Sequence, residues 1–329
     1  MIEFRTKVEL SDKDINIHHS DRMMMLGSCF VENIGKKLTD SKFDCDINPF
    51  GILYNPLSIS EALYTMLEGR KYNENNLLEK GGTWFSLMHH SSFSSHDKNE
   101  CLERINHRIE QGGQYLRESR WVIITFGTAR VYEWKESHRI VGNCHKLPER
   151  MFSRRLLDVV EIVDTYKDLL EKIREVNPQA EILFTVSPIR HAKDGMHGNQ
   201  INKASLLLAI DQLCDRFSYC HYFPSYEIMM DELRDYRFYA DDMLHPSSMA
   251  IEYIWERLSK ECFSADTLKA ISQWEEIEKG LSHRPFNPTS EAHKRFLSQI
   301  LLKIERIKEK FPYLDTQKEI DICRTLLKK

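Results

Sequence analysis

The first strong pattern in the chain is "MMML" at Met23–Leu26. It is a continuous apolar run without polar alternation, which predicts a short strand buried on both faces. Beyond it, Phe30, Ile34 and Leu38 recur every four residues with Glu32, Lys36 and Lys37 between them, the period of an amphipathic helix. The buried-strand signature returns in "WVIITFG" at Trp121–Gly127 and at Ile182–Val186 within "NPQAEILFTVSP". "RRLLDVVEIVDTYKDLLEKIREV" predicts a helix from Arg154, with Leu156, Val160, Val163, Leu170 and Ile173 on its apolar face. "INKASLLLAIDQLCDRF" predicts another, with Leu206, Ile210, Leu213 and Phe217 on one stripe, and "SMAIEYIWERL" a further one from Ser248. Strands alternating with helices imply parallel β-α units with right-handed connections. The expected fold is α/β: a three-layer α/β/α sandwich around a mostly parallel sheet of about five strands.

From about residue 264 only helical patterns remain: "LKAISQWEEIEKG", "AHKRFLSQILLKIERIKEKF" and "TQKEIDICRTLLKK", with "SHRPFNPTSE" as a loop between the first two. Phe296, Ile300, Ile304, Ile307 and Phe311 fit a buried stripe. The expected division is an α/β domain over residues 1–263 and a helical extension over 264–329, packed outside it. No internal repeat or low-complexity segment is present.

Composition narrows the function classes. Hydrophobic residues make up 41% and charged residues 29% of the 329, ordinary for a soluble globular chain. The formal net charge is −4 and no lysine/arginine run occurs, so nucleic acid is not an expected partner. No apolar run is long enough to span a bilayer, and "MIEFRTKVELSDKD" lacks the apolar core of a signal peptide; a cytoplasmic protein is expected. The eight cysteines are scattered without a C-x-x-C pair, which argues for reduced, mostly buried thiols and against structural zinc. No cofactor is implied.

In open α/β sheets, ligands gather beyond the carboxyl ends of the strands, and Gly27, Ser28 and Cys29 fall at such an end. Gly27 permits a sharp turn, and the following helix aims its N–H groups at the turn. That setting favours an anion and is expected to lower a cysteine pKa, though Ser or Cys here also serves as a plain N-cap. Far along the chain, "YADDMLHPSS" holds Asp242 three residues before His245, with Pro246 where a helix would begin. An acid so placed can orient an imidazole through Nδ1 and leave its other nitrogen as a general base. His89, His90 and His96 form a polar loop without the carboxylate–histidine spacing of a helical metal site, and no metal is expected. His145, Arg190 and His191 are further candidates for substrate contacts, His145 also as an alternative base. "KDGMHGNQ" at Lys193–Gln200 reads as a loop near the ligand face.

A potential nucleophile after the first strand, paired with Asp-x-x-His before the last helix of one sheet, resembles the SGNH (GDSL-type) hydrolase superfamily, whose fold is flavodoxin-like. The resemblance is closer to one branch, the GSCFA family, through "GSCFVENIG", "NPFGILYNPLSI", "ITFGTARVYEW", "NCHKLP", "TVSPIRHAKDGMHGNQ" and "YFPSYEIMMDELRDYRFYADDMLHPS". It covers roughly residues 1–260. The resemblance implies Cys29 at the nucleophile position and Ser28 where the superfamily has aspartate. Gly51 would lend an oxyanion N–H, and Asp242 and His245 would act as orienting acid and base. The superfamily's G-x-N is here Gly127-Thr128-Ala129, without the asparagine; Asn48 or Asn143 would have to replace it. Attack by Cys29 and attack by Ser28 both stay open. The implied activity is esterase- or thioesterase-type hydrolysis of a small-molecule or carbohydrate acyl ester through an acyl-enzyme. The alternatives are acyl transfer to a sugar or cell-envelope precursor, or a binding module that kept the fold without turnover.

Overall fold

The computed structural model describes residues 5–10, 15–283 and 285–328. Along the chain, β1 (Met23–Gly27), α1 (Cys29–Asp40), β2 (Cys45–Ile47) and α2 (Pro56–Glu68) come first. A hairpin of β3 (Leu78–Lys80) and β4 (Thr83–Phe85), then α3 (Lys98–Glu118) and β5 (Trp121–Phe126), follow. Next are β6 (Arg130–Trp134), β7 (Ile140–Val141), β8 (Phe152–Leu156), α4 (Val159–Val176) and β9 (Glu181–Val186). They lead to α5 (Gly195–Arg216), β10 (Cys220–Phe223), the single turn α6 (Ser225–Glu227) and α7 (Ser248–Cys262). The chain closes with α8 (Ala265–Ser282), α9 (Glu291–Lys310) and α10 (Gln317–Leu327).

The central sheet runs β10-β9-β5-β1-β2, and every pairing in it is parallel. Side chains alternate between two cores. Met24 and Leu26 of β1, with Val122, Ile124 and Phe126 of β5, meet residues of α2–α5 such as Leu63, Ile105, Leu169 and Leu206. Met23, Met25, Trp121 and Ile123 point the other way, onto Phe30 and Ile34 of α1 and Ile254 and Leu258 of α7. Both faces are dry, which is why "MMML" shows no alternation. Each such side chain stabilises the fold by about 1.5–3 kcal/mol. The result is the expected three-layer α/β/α sandwich. From β1 the chain passes to β2 on one side and later returns to β5 on the other. The carboxyl ends of β1 and β5 therefore flank a topological switch point.

Two predicted boundaries shift. The loop expected at Lys193–Gln200 is helical from Gly195, where α5 begins. The helix expected from Arg154 begins at Val159, capped by Asp158, whose side chain accepts the Val160 N–H at 2.9 Å. The residues before it form β8 in a separate antiparallel sheet, β7-β6-β8, where Arg155 pairs with Glu133 and Glu161. Strand pairing and ion pairs outweigh helical spacing there. Val160 consequently stands 61% exposed, and the buried face is Ile162, Tyr166, Leu169, Leu170 and Ile173.

Helices α8–α10 pack around their own cluster of Trp274, Ile277, Leu297, Ile300, Ile304 and Ile307, with Phe296 and Phe311 at its margin. They dock beside the start of the chain. Trp274 Nε1 donates to the Asp40 carbonyl at 3.0 Å, and Lys42 pairs with Glu319 at 2.8 Å. His19 stacks on Phe43 and lies beside Phe311 and Tyr313. Cys101, Cys220, Cys262 and Cys323 are buried and the other four cysteines partly so. Among the described residues, no helix is long and apolar enough to cross a membrane.

Candidate active site

The turn after β1 is built tightly. Gly27 has φ +151°, and a Cβ there would lie 2.4 Å from the Thr125 carbonyl oxygen of the neighbouring strand. Only glycine fits without a shift. Ser28 then caps α1: its Oγ accepts the Phe30 N–H at 3.3 Å and donates to Ser187 Oγ at 3.1 Å, just past β9. The hydroxyl is buried and engaged in both directions. Cys29, the first residue of α1, is half-buried, and as such its N–H has no acceptor within the helix.

The expected low thiol pKa does not hold. Burial raises the Cys29 pKa above its ordinary value, backbone N–H groups at the helix start oppose this only in part, and the Glu32 and Asp242 carboxylates add to the rise. Desolvation outweighs the helix terminus because the thiol is partly buried against the apolar cluster on the α1–α7 side of the sheet. The Asp242 carboxylate thus lies near enough to the Cys29 thiol for its charge to act there.

That second turn is held by its own acid. Asp242 Oδ1 accepts the N–H groups of Leu244 and His245, each at 2.9 Å, and Oδ2 accepts from His245 Nδ1 at 2.5 Å. The two N–H groups, then the imidazole, hold the Asp242 carboxyl down to about 2. Nδ1 thus carries its proton towards Asp242 and Nε2 is left for other chemistry. Met243 takes φ +58° to close the turn, and the Arg190 N–H reaches the Leu244 carbonyl at 3.3 Å. Pro246 is buried one residue before the cap; Ser247, rather than the proline, starts α7.

The other expected residues divide. Asn48, at φ +47°, accepts the Gly27 N–H on Oδ1 at 2.9 Å, while its Nδ2 is buried without a partner among the described residues. Gly51 commits its N–H to the Asn48 carbonyl at 2.7 Å, as a turn former. Gly127 and Thr128 both donate to the Tyr54 carbonyl, at 2.8 and 3.0 Å. His191 lies at this edge, its ring edge-on to Tyr54 and its Nε2 3.4 Å from where a Gly127 Cβ would be. Burial, then the Lys203 charge, push His191 down to about 4, so it is neutral. Arg190 turns its guanidinium to the Met230 sulfur. His145 spends Nε2 on the carbonyls of Ser86 and His89, and Asn143 Oδ1 accepts the His145 N–H; both hold a loop and leave the Cys29 turn to others. His89 is buried against Phe50 with Nδ1 on Ser86 Oγ, His90 caps a short turn, and His96 bonds the Gly82 carbonyl. Among the described residues, no cluster of His, Cys, Asp or Glu is arranged to hold a metal.

Sequence reasoning missed Ser187, Tyr54 and Lys203. Lys203 had a readable signal, since it lies three residues before Leu206 on the apolar stripe of α5. Ser187 follows an apolar strand directly and precedes a proline, a weaker cue.

A five-stranded parallel sheet with a Ser-Cys turn at its switch point, flanked by helices on both faces, defines a three-layer α/β protein. The chain belongs to the GSCFA family. The description "GSCFA family" matches residues 22–258, and "GSCFA domain protein, C-terminal domain" matches residues 274–329. No curated relative matches the chain. Among solved structures, it is similar to a Clostridium thermocellum family 3 carbohydrate esterase, at 10% identity and a TM-score of 0.35, over 77% of this chain and 98% of that one. It is also similar to a family two carbohydrate esterase from Clostridium thermocellum in complex with cellohexaose, at 18% identity and a TM-score of 0.27, over 46% of this chain and 37% of that one.

Proposed function

We propose that the protein is an esterase- or thioesterase-type acyl hydrolase working through a Cys29 acyl-enzyme on a small-molecule or carbohydrate acyl ester. The observation that carries this reading is the Asp242–His245 pair, with Nδ1 fixed and Nε2 available, whose carboxylate charge acts on a half-buried cysteine at a helix N-terminus. Because the thiol is held neutral at rest, its proton passes to His245 Nε2 as sulfur attacks the carbonyl carbon. The tetrahedral oxyanion takes the Cys29 N–H and the Asn48 amide as donors. The otherwise orphaned Asn48 Nδ2 supports that assignment, and it fills the place of the asparagine missing after Gly127. Collapse expels the alcohol or thiol, protonated by His245. Water, deprotonated by His245, then attacks the Cys29 thioester, releasing the carboxylic acid and restoring the thiol. Ser28 serves as cap, because its hydroxyl is buried between Phe30 and Ser187.

Intact mass after brief exposure to a panel of activated acyl esters tests this in the wild type, Cys29→Ala, Ser28→Ala and His245→Ala. An adduct on wild type and Ser28→Ala, absent from Cys29→Ala and slowed in His245→Ala, is the expected result. Loss of the adduct in Ser28→Ala alone, with the fold intact, overturns the choice of nucleophile. Product analysis with water and with sugar acceptors separates hydrolysis from transfer.

A further inference from the structure

Lys203 is buried to 1% exposure within α5, and among the described residues its ammonium bonds to no carboxylate. It donates instead to two backbone carbonyls, Gly127 at 2.8 Å and Ser187 at 2.6 Å. Those residues stand just beyond β5 and β9. Both belong to the floor of the Cys29 site: Ser187 Oγ takes the Ser28 hydroxyl, and Gly127 gives its N–H to Tyr54. One buried cation therefore ties two strand ends to the Ser28 cap and the Tyr54 loop. An unpaired lysine is costly to bury, so its placement needs a reason beyond packing. Its ammonium stands 5.4 Å from the Tyr226 ring centre.

We infer that Lys203 is a positioning residue of the Cys29 site, clamping the ends of β5 and β9, with its ammonium and the His191 ring both set against Gly127. The inference rests on the proposed acyl chemistry for its kinetic arm only. The charged groups facing His191 are Lys203 on α5, Asp194 at the start of α5, His245 on the Asp-His turn and Arg154 on β8. Asp194 favours its protonation and the other three oppose it. Lys203 is the strongest of these charges, and its own pKa is lowered by burial and by Arg190 to about 7.

The test compares Lys203→Met with Lys203→Arg in the full chain, by histidine-labelled NMR titration and by the rate of Cys29 acylation. Removing the charge is expected to raise the His191 titration midpoint and to slow acylation about tenfold or more, because misplaced floor groups cost rate steeply. Lys203→Arg, which keeps charge and donors, is expected to hold His191 low. If Lys203→Met fails to fold, Lys203→Gln replaces it in the same comparison. His191 titrating alike in the wild type and the uncharged variant overturns the inference, whatever the rate. A raised His191 midpoint in a protein that no ester acylates supports the clamp and counts against the hydrolase reading alone.

Discussion

Replacing Ser28 by alanine separates cap from nucleophile, and its size can be worked from two contacts. The substitution removes the acceptor for the Phe30 N–H and the donor to Ser187 Oγ. A lost serine N-cap costs about 1 kcal/mol. A lost buried neutral hydrogen bond costs about another 1 kcal/mol. Unfolding entropy near 2.1 cal/mol/K per residue over this chain makes that roughly a 3 °C fall in Tm, if the chain melts as one unit. Thermal melting and intact-mass acylation on the same sample read both effects. The expected outcome is a lower Tm with the acyl adduct retained, whereas Cys29→Ala loses the adduct with a smaller change in Tm. An unchanged Tm together with a lost adduct in Ser28→Ala would refute the capping argument and make the serine the attacking group.

Two further outcomes follow from the same turns. The Asp242 carboxyl is held down to about 2, so its grip on His245 is complete above the ordinary carboxylate range and is lost only as pH falls through about 2. Acylation measured from pH 4 to 9 should therefore show no limb from Asp242, and Asp242→Asn should lower the rate at every pH, by about tenfold or more; an acid limb that disappears in Asp242→Asn would contradict this. Gly27→Ala should destabilise the fold by about 2–4 kcal/mol and abolish acylation, because its Cβ meets the Thr125 carbonyl at 2.4 Å on a backbone alanine resists. A urea midpoint matching wild type would refute that.

The layers were legible because the strands of the central sheet are buried on both faces. Continuous runs such as Met23–Leu26 and Trp121–Phe126 have no other economical home. The antiparallel β6–β8 sheet was not, since its strands are short and its stability comes from partners distant in sequence, Arg155 with Glu133 among them. The same limit applied to the site. Asp242 and His245 are three residues apart, so one turn holds them and their spacing is visible. The low thiol pKa does not follow from "GSCF" because helix start and burial compete, and burial is a property of the tertiary packing around the turn rather than of the motif itself. Asn48 was readable only as a spare amide; its orphaned Nδ2 and its bond to the Gly27 N–H emerge once the chain between β2 and α2 bends back.

The docking of α8–α10 sets an order in time. Asp40 and Lys42, which receive Trp274 and Glu319, are synthesised 234 and 277 residues ahead of those partners. At ribosomal speeds of about 5–20 residues per second, this part of the sandwich waits roughly 12–55 s for its cover. Ile17 waits almost as long for Cys262 and Ser264, the backbone groups that bind it. Residues 17–42 are thus completed by segments made long after them, and a ribosome that stops before α8 leaves the Asp40 carbonyl and the Lys42 ammonium without these partners.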